Sequence, residues 1–170
     1  MMECSPYRLA ASLLANLQAN LADTRGGAAS RVAVYPHTDP AIEFGCDMAW
    51  VGVGAVTPSQ PAKGGCGVLV WDIALTMGVA RCYPVAADNG APDAAAVDSA
   101  ARDVLDDGEA MRRALVSAFV DQGITHSVKS WQTRPPMGGA HASTMALSVQ
   151  MQWGSYVEPG SPMQPRDPRA

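Results

Sequence analysis

Leu69-Val70-Trp71-Asp72-Ile73-Ala74-Leu75-Thr76-Met77-Gly78-Val79-Ala80-Arg81-Cys82 is the stretch whose reading decides how this chain folds. Leu69, Trp71, Ile73, Leu75, Met77 and Val79 place a large apolar side chain at every second position. Side chains on a strand alternate between faces, so this spacing predicts a long strand, from about Val68 to Cys82, with one continuous apolar face. The opposite face carries small residues at Ala74, Thr76, Gly78 and Ala80, which predicts a central strand covered on both sides. Asp72 interrupts that second face and marks either a sheet edge or a pairing with an arginine, and Pro84 closes the strand.

The same rhythm returns near the other end of the chain. Met145, Leu147, Val149, Met151 and Trp153 alternate with Thr144, Ala146, Ser148, Gln150 and Gln152, predicting a closing strand from about Ser143 to Trp153. Before it, Val128 to Gln132 reads as a short strand and Pro135-Pro136-Met137-Gly138-Gly139 as a loop. Two further strands are predicted earlier: Arg31 to Tyr35, stopped by Pro36, and about Asp47 to Val56. Gly52 and Gly54 within the latter indicate a bend, a bulge or the close approach of another backbone. The segments Pro36 to Gly45 and Pro58 to Gly67 read as loops.

Two regions carry helical spacing. Ser5 is suited to cap a helix that Pro6 opens, and Leu9, Leu13, Leu17 and Leu21, with Leu14 beside them, form one apolar stripe that Gly26-Gly27 ends. Asp93 to Leu105 is Ala-rich; Asp106 and Glu109 have capping-box spacing; and Met111, Leu115 and Phe119 share a face. This predicts either two consecutive helices or one helix kinked near Gly108, ending at Gly123. The expected fold class is α+β: an N-terminal amphipathic helix, a mixed or antiparallel sheet of about four to five strands, and a central helical region packed on one face. Residues 1–153 are expected to form one domain, and the Gly-, Ser- and Pro-rich stretch 154–170 a flexible tail.

Composition narrows the function. Charged residues make up 16% of the 170 residues, below the usual quarter. That fits a surface partly covered by copies of the same chain or by partners, and it equally fits Ala- and Gly-rich coding. The net charge of −4, scarce lysine and scattered arginines argue against nucleic-acid binding, which needs a basic stripe. No stretch is long and apolar enough for a bilayer span, and the first residues lack the pattern of a signal peptide, so a soluble cytoplasmic product is expected.

Chemistry-bearing motifs are sparse. Cys4, Cys46, Cys66 and Cys82 form no CxxC pair, so buried reduced thiols are the default reading. Cys46 and Cys66 both border predicted strands, which allows them to be neighbours in space, but their spacing argues for neither a bond nor a metal between them. His37, Asp39 and Glu43 share one loop but lack the paired spacing of a metal site. His126 and His141 flank the last strands, and a Cys82 nucleophile with His126 as its base has no local signature behind it. No nucleophile elbow, phosphate loop or dinucleotide fingerprint occurs. Catalytic, cofactor-binding and metal-binding residues are therefore expected to be none. Trp131 and Trp153, which bracket the Pro135–Gly139 loop, are of the type enriched at interfaces, though each taken alone better suits the domain's own core.

A series of short words runs in a fixed order along the chain, beginning with Cys66-Gly67, Trp71-Asp72-Ile73-Ala74-Leu75 and Arg81-Cys82-Tyr83-Pro84. An acid- and alanine-rich helix with Met111 to Leu115 comes next, then Val128 to Trp131, the Pro135–Gly139 loop and the closing strand. Over roughly residues 45–153 this pattern resembles the neck proteins of actinobacterial tailed phages. The opening helix and the α–β–α–β order are most similar to the tail terminators of long-tailed siphophages. The resemblance implies an α+β subunit of a sixfold ring, not an enzyme and without cofactor, located in the virion at the head–tail junction. Its partners would be other copies of itself, the major tail tube protein and the head-to-tail stopper or connector, with genomic DNA passing through the lumen unbound and no membrane involved.

Under that reading, Pro135, Pro136, Met137, Gly138, Gly139, Trp131, Trp153, Pro36 and Asp39 are the expected contact residues, together with the C-terminal tail. Ala140 departs from the family pattern, which has a cysteine after the Gly-Gly pair. Two alternatives stand beside it: a head-to-tail stopper or connector, and a small cytoplasmic cysteine-dependent or metal-binding domain.

Overall fold

The computed structural model describes residues 5–38, 46–59, 70–86 and 90–152. In chain order the elements are α1 (Pro6–Leu21), β1 (Arg31–Tyr35), β2 (Met48–Pro58), β3 (Val70–Cys82), α2 (Ala94–Leu115) continuing into a π-helical stretch (Val116–Val120), β4 (His126–Met137) and β5 (Ala140–Gln152). The five strands form one sheet in the order β1-β2-β3-β5-β4. Only β1 and β2 run parallel; the other pairs are antiparallel. The fold is thus α+β with a mixed sheet, and the strand with the strongest alternation, β3, lies at its centre.

Both helices pack on one face of that sheet. Ser5 Oγ accepts a hydrogen bond from the Arg8 amide at 3.1 Å, and Pro6 takes the first turn, where its missing N–H costs nothing. Leu9, Leu13, Leu14, Leu17 and Leu21 then face the sheet and are buried against Ala49, Val51, Ile73, Leu75, Met77 and Val79. Each fully buried leucine contributes roughly 1.5–3 kcal/mol of transfer free energy. From β5, Met145, Leu147, Val149 and Met151 complete the same core, and Met111, Leu115 and Phe119 close it from the second helix.

The central helical region is one continuous helix through Gly108, not two. Asp93 caps its start by accepting from the amides of Ala95 and Ala96, and Asp106 lies inside the helix rather than capping a second one. A side chain at position 108 would collide with the Trp131 indole, so this glycine serves packing. The chain widens into a π turn only at Val116.

The other face of the sheet is covered at one end by the sheet's own side chains. Trp50 lies across Gly78 with Met48, Ala80 and Ala142 buried around it and Tyr35 packed alongside. A Cβ on Gly78 would overlap the Trp50 ring, which is why the small side of β3 needs a glycine there. Gly52 is held against the backbone of His37 and Thr38, and β2 carries a bulge between Val53 and Val56. The close approach and the irregularity expected from Gly52 and Gly54 are thus both present.

Strand boundaries differ most at the end of the chain. The short strand expected at Val128–Gln132 runs from His126 to Met137 and takes in Pro135 and Pro136. Edge position explains this. A proline cannot donate to a ladder, but the second bulge of β4, between Arg134 and Met137, places both prolines where no donor is needed. The loop is therefore only Gly138-Gly139, with φ of 61° and 80°, the left-handed geometry of a two-residue hairpin turn.

Candidate functional site

Two parts of the molecule differ from an ordinary packed core: the edge formed by β4, and a buried polar cluster between the end of β3 and α2. β4 is exposed along nearly its whole length, with only His126 and Arg134 partly covered. Its large apolar residues stand out to solvent: Met137 is 74% exposed, Val128 50% and Trp131 37%. Trp131 is held in place from behind, with its indole seated on Gly108 of α2. One side of β4 bonds to β5, and on the other side no strand lies among the described residues, so β4 is an edge of the sheet they form. Lys129 at the first bulge and the two prolines at the second interrupt the regular pairing of β4 with β5.

Of the expected contact residues, Trp131, Pro135, Pro136, Met137, Gly138 and Gly139 fall together on this edge and its hairpin. Pro36 is exposed just past the end of β1, at the opposite margin of the sheet. Asp39, Glu43, Trp153, Cys4, Cys66 and the tail 154–170 lie outside the described residues. Sequence reasoning missed Val128 and the length of β4, because an edge strand exposed on both faces carries no alternation to read.

The buried cluster centres on Arg81, which projects from β3 onto the helix face. Its Nε and Nη2 donate to Asp107 of α2 at 2.9 and 2.7 Å, a two-pronged pairing with side-chain exposures of 7% and 0%. Nη1 donates to the Gly26 carbonyl and Nη2 to the Gly27 carbonyl, both at 2.9 Å, and Nη1 reaches Asp47 at 3.4 Å. A guanidinium has five N–H groups, and these contacts engage them all. Arg81 therefore clamps β3, α2 and the turn after α1, and keeps no donor for a ligand.

Burial by itself pulls Arg81 down, but the Asp107 hydrogen bonds and charge outweigh it, so the guanidinium is held above its ordinary value. Burial pushes Asp107 up, with Arg81 opposing. The two-pronged geometry is that of the charged pair. The one signal in the sequence is that Arg81 falls on the apolar-face register of β3, where a buried charge needs a partner, but spacing does not say which aspartate supplies it.

Asp47 lies at the rim of this cluster and is the one non-glycine among the described residues with positive φ, at 71°. Its carboxylate accepts from the Ser30 amide at 3.0 Å, and its carbonyl accepts from Ser30 Oγ and from the Arg31 amide. Its own amide donates to the Ala80 carbonyl at 3.0 Å. Beside Arg81 on β5 is His141, whose ring packs edge-on against Tyr83 at 5.4 Å between centroids. Burial pulls His141 below its ordinary value, with Asp107 and Asp103 opposing.

For Cys46 and Cys82 the expectation of reduced thiols is overturned. Cys46 and Cys82 are joined as a disulfide, so neither is a reduced thiol. Cys82 also cannot serve as a nucleophile with His126. The two residues sit opposite Ala140 and Val149 of β5, nine positions apart, about 30 Å along the strand. Among the described residues no group of His, Cys, Asp and Glu is placed to hold a metal ion. Asp72 pairs across the ladders with Thr57 and Gln150 and opens onto a shallow polar groove lined by His126, Ser127, Lys129, Ser148 and Gln150. Among the described residues, no helix is long and apolar enough to cross a membrane. The chain matches no protein-family model and no curated protein sequence.

Proposed function

We propose that this chain is a self-associating structural subunit, the ring-forming tail terminator of a long-tailed phage that its sequence resembles. The observation that carries the reading is the β4 edge: a 12-residue strand, exposed on both faces, bearing Val128, Trp131 and Met137 and ending in a tight glycine hairpin. The opposite margin is the five-residue parallel strand β1. A closed ring needs two unlike patches, one meeting the other on the next copy, and a sheet with unlike margins supplies them. Aromatic residues fixed from behind lose little freedom on contact, which suits Trp131 as an anchor. The tube protein and the head connector would then meet the two faces of the ring.

Two measurements test this. In solution, the mass of the chain mixed with tube protein is expected to rise to that of a ring on a tube end, and Val128→Lys with Trp131→Ala is expected to abolish that rise while leaving the circular dichroism spectrum unchanged. In phage particles lacking the chain, abnormal tails beside full heads are expected. Leakage of DNA from heads would instead assign the stopper role, and normal particles would end the proposal.

A further inference from the structure

We infer that Cys46 and Cys82 form a redox-responsive clamp that sets how firmly the edge strand β1 is held to the sheet. This inference stands on the cysteine pair and does not depend on the ring reading. The two residues are 36 positions apart in sequence, and the bond joins the residue before Asp47 to the last residue of β3. Cys82 is exposed and Cys46 half-buried, so small thiols reach the bond from solvent.

The neighbouring residue decides what the bond controls. Asp47 holds a left-handed backbone that a non-glycine residue adopts reluctantly, so something must keep it there. On one side Cys46 ties it covalently to Cys82; on the other its amide bonds to Ala80 and its carboxylate meets Arg81. From that fixed position Asp47 receives the Ser30 amide, the Ser30 hydroxyl and the Arg31 amide, the residues that start β1. β1 has otherwise five register pairs with β2 and contacts with α1. Breaking the disulfide frees Cys46, lets Asp47 leave the left-handed region and loosens the start of β1. The path touches the β3–β5 ladder only at its end, Ala80 to Cys82, and leaves the pairs from Val70 to Val79 and the β4–β5 ladder outside it.

The chemistry is thiol–disulfide exchange with a low-molecular-weight disulfide such as glutathione disulfide. One protein thiolate displaces a glutathione thiolate to give a mixed disulfide. The second protein thiolate then displaces the other glutathione, so the two cysteines give up two electrons and two protons and two glutathione thiols leave. Reduction is the same sequence reversed by excess glutathione.

The test uses the full chain equilibrated across ratios of glutathione to glutathione disulfide. Peptide mapping by mass spectrometry identifies which of the four cysteines pair, and amide hydrogen exchange tracks residues 31–35 against the β3 and β5 core. Oxidation is expected to join Cys46 to Cys82, to slow exchange in residues 31–35 by about tenfold or more, to leave the core amides unchanged, and to raise Tm by about 10 °C. The Cys46→Ser, Cys82→Ser double variant is expected to keep the reduced exchange pattern at every ratio. Should that variant fold poorly, the comparison within the unmodified chain stands alone. Free Cys46 and Cys82 at all ratios, pairing of either with another cysteine, or equal exchange of residues 31–35 in both states would each overturn the inference.

Discussion

β3 and β4 flank the same strand, β5, have nearly equal lengths of 13 and 12 residues, and meet opposite fates. From Ile73 to Arg81, β3 is buried except at Ala74, with the helical layer on one side and Trp50 lying over its small residues on the other. β4 is buried nowhere. Composition leans the same way, since β4 carries Ser127, Lys129, Ser130, Gln132, Thr133 and Arg134, but it does not explain why Val128, Trp131 and Met137, as apolar as residues of β3, are left exposed. Position in the sheet separates them. A central strand must satisfy neighbours on both sides and covers on both faces, whereas an edge strand has one free side and tolerates Lys129, Pro135 and Pro136.

The largest effect is expected where β3 is most constrained. Asp107→Ala leaves Arg81 buried without its main partner and is expected to cost about 3–5 kcal/mol in urea unfolding. A matched pair of apolar replacements, Arg81→Met with Asp107→Leu, should recover much of that loss, since buried ion pairs are often replaceable. If Asp107→Ala alone proves nearly neutral, the cluster is not a clamp and the contrast between the two strands weakens.

Next in size, Gly78→Ala drives a methyl group into the Trp50 indole and is expected to destabilise by about 1–3 kcal/mol. Combining it with Trp50→Leu should remove most of the penalty specific to position 78, which a double-mutant cycle measures. At the end of β4, Gly138→Ala places a side chain at φ of 61° in the hairpin turn and is expected to cost about 1 kcal/mol. Because the turn is exposed, equilibrium unfolding should register only this backbone strain and no packing loss.

The smallest effect concerns acid. Burial, opposed by Asp107 and Asp103, holds the folded-state pKa of His141 below its ordinary 6.5. A depressed imidazole favours the neutral form in the folded state. Its contribution is therefore fully present above 6.5 and is lost as pH falls from there toward the depressed value. Tm should decline on acidification through that window, and His141→Gln should flatten the decline; an unchanged slope in the variant would place the titrating group elsewhere.

How far these sites are legible in the sequence obeys the same contrast. The alternation in β3 and β5 and the leucine stripe of α1 are readable because burial imposes a period on the residues themselves. Gly108 reads as a break, since local propensity penalises glycine in a helix, while tertiary packing on Trp131 rewards it. The length of β4 is unreadable for the opposite reason: with both faces wet, no period is imposed. The disulfide is unreadable because cysteine spacing carries no distance; Cys46 meets Cys82 only once β2 and β3 pair antiparallel.

By itself, the chain's order of residues determined an α+β fold with β3 at its heart, because the alternation of apolar side chains acts over neighbouring positions. Only the tertiary structure decided which strand would be the open edge, which aspartate would meet Arg81 and which cysteines would bond. Those outcomes depend on residues brought together from distant parts of the chain, where sequence spacing holds no record of separation in space.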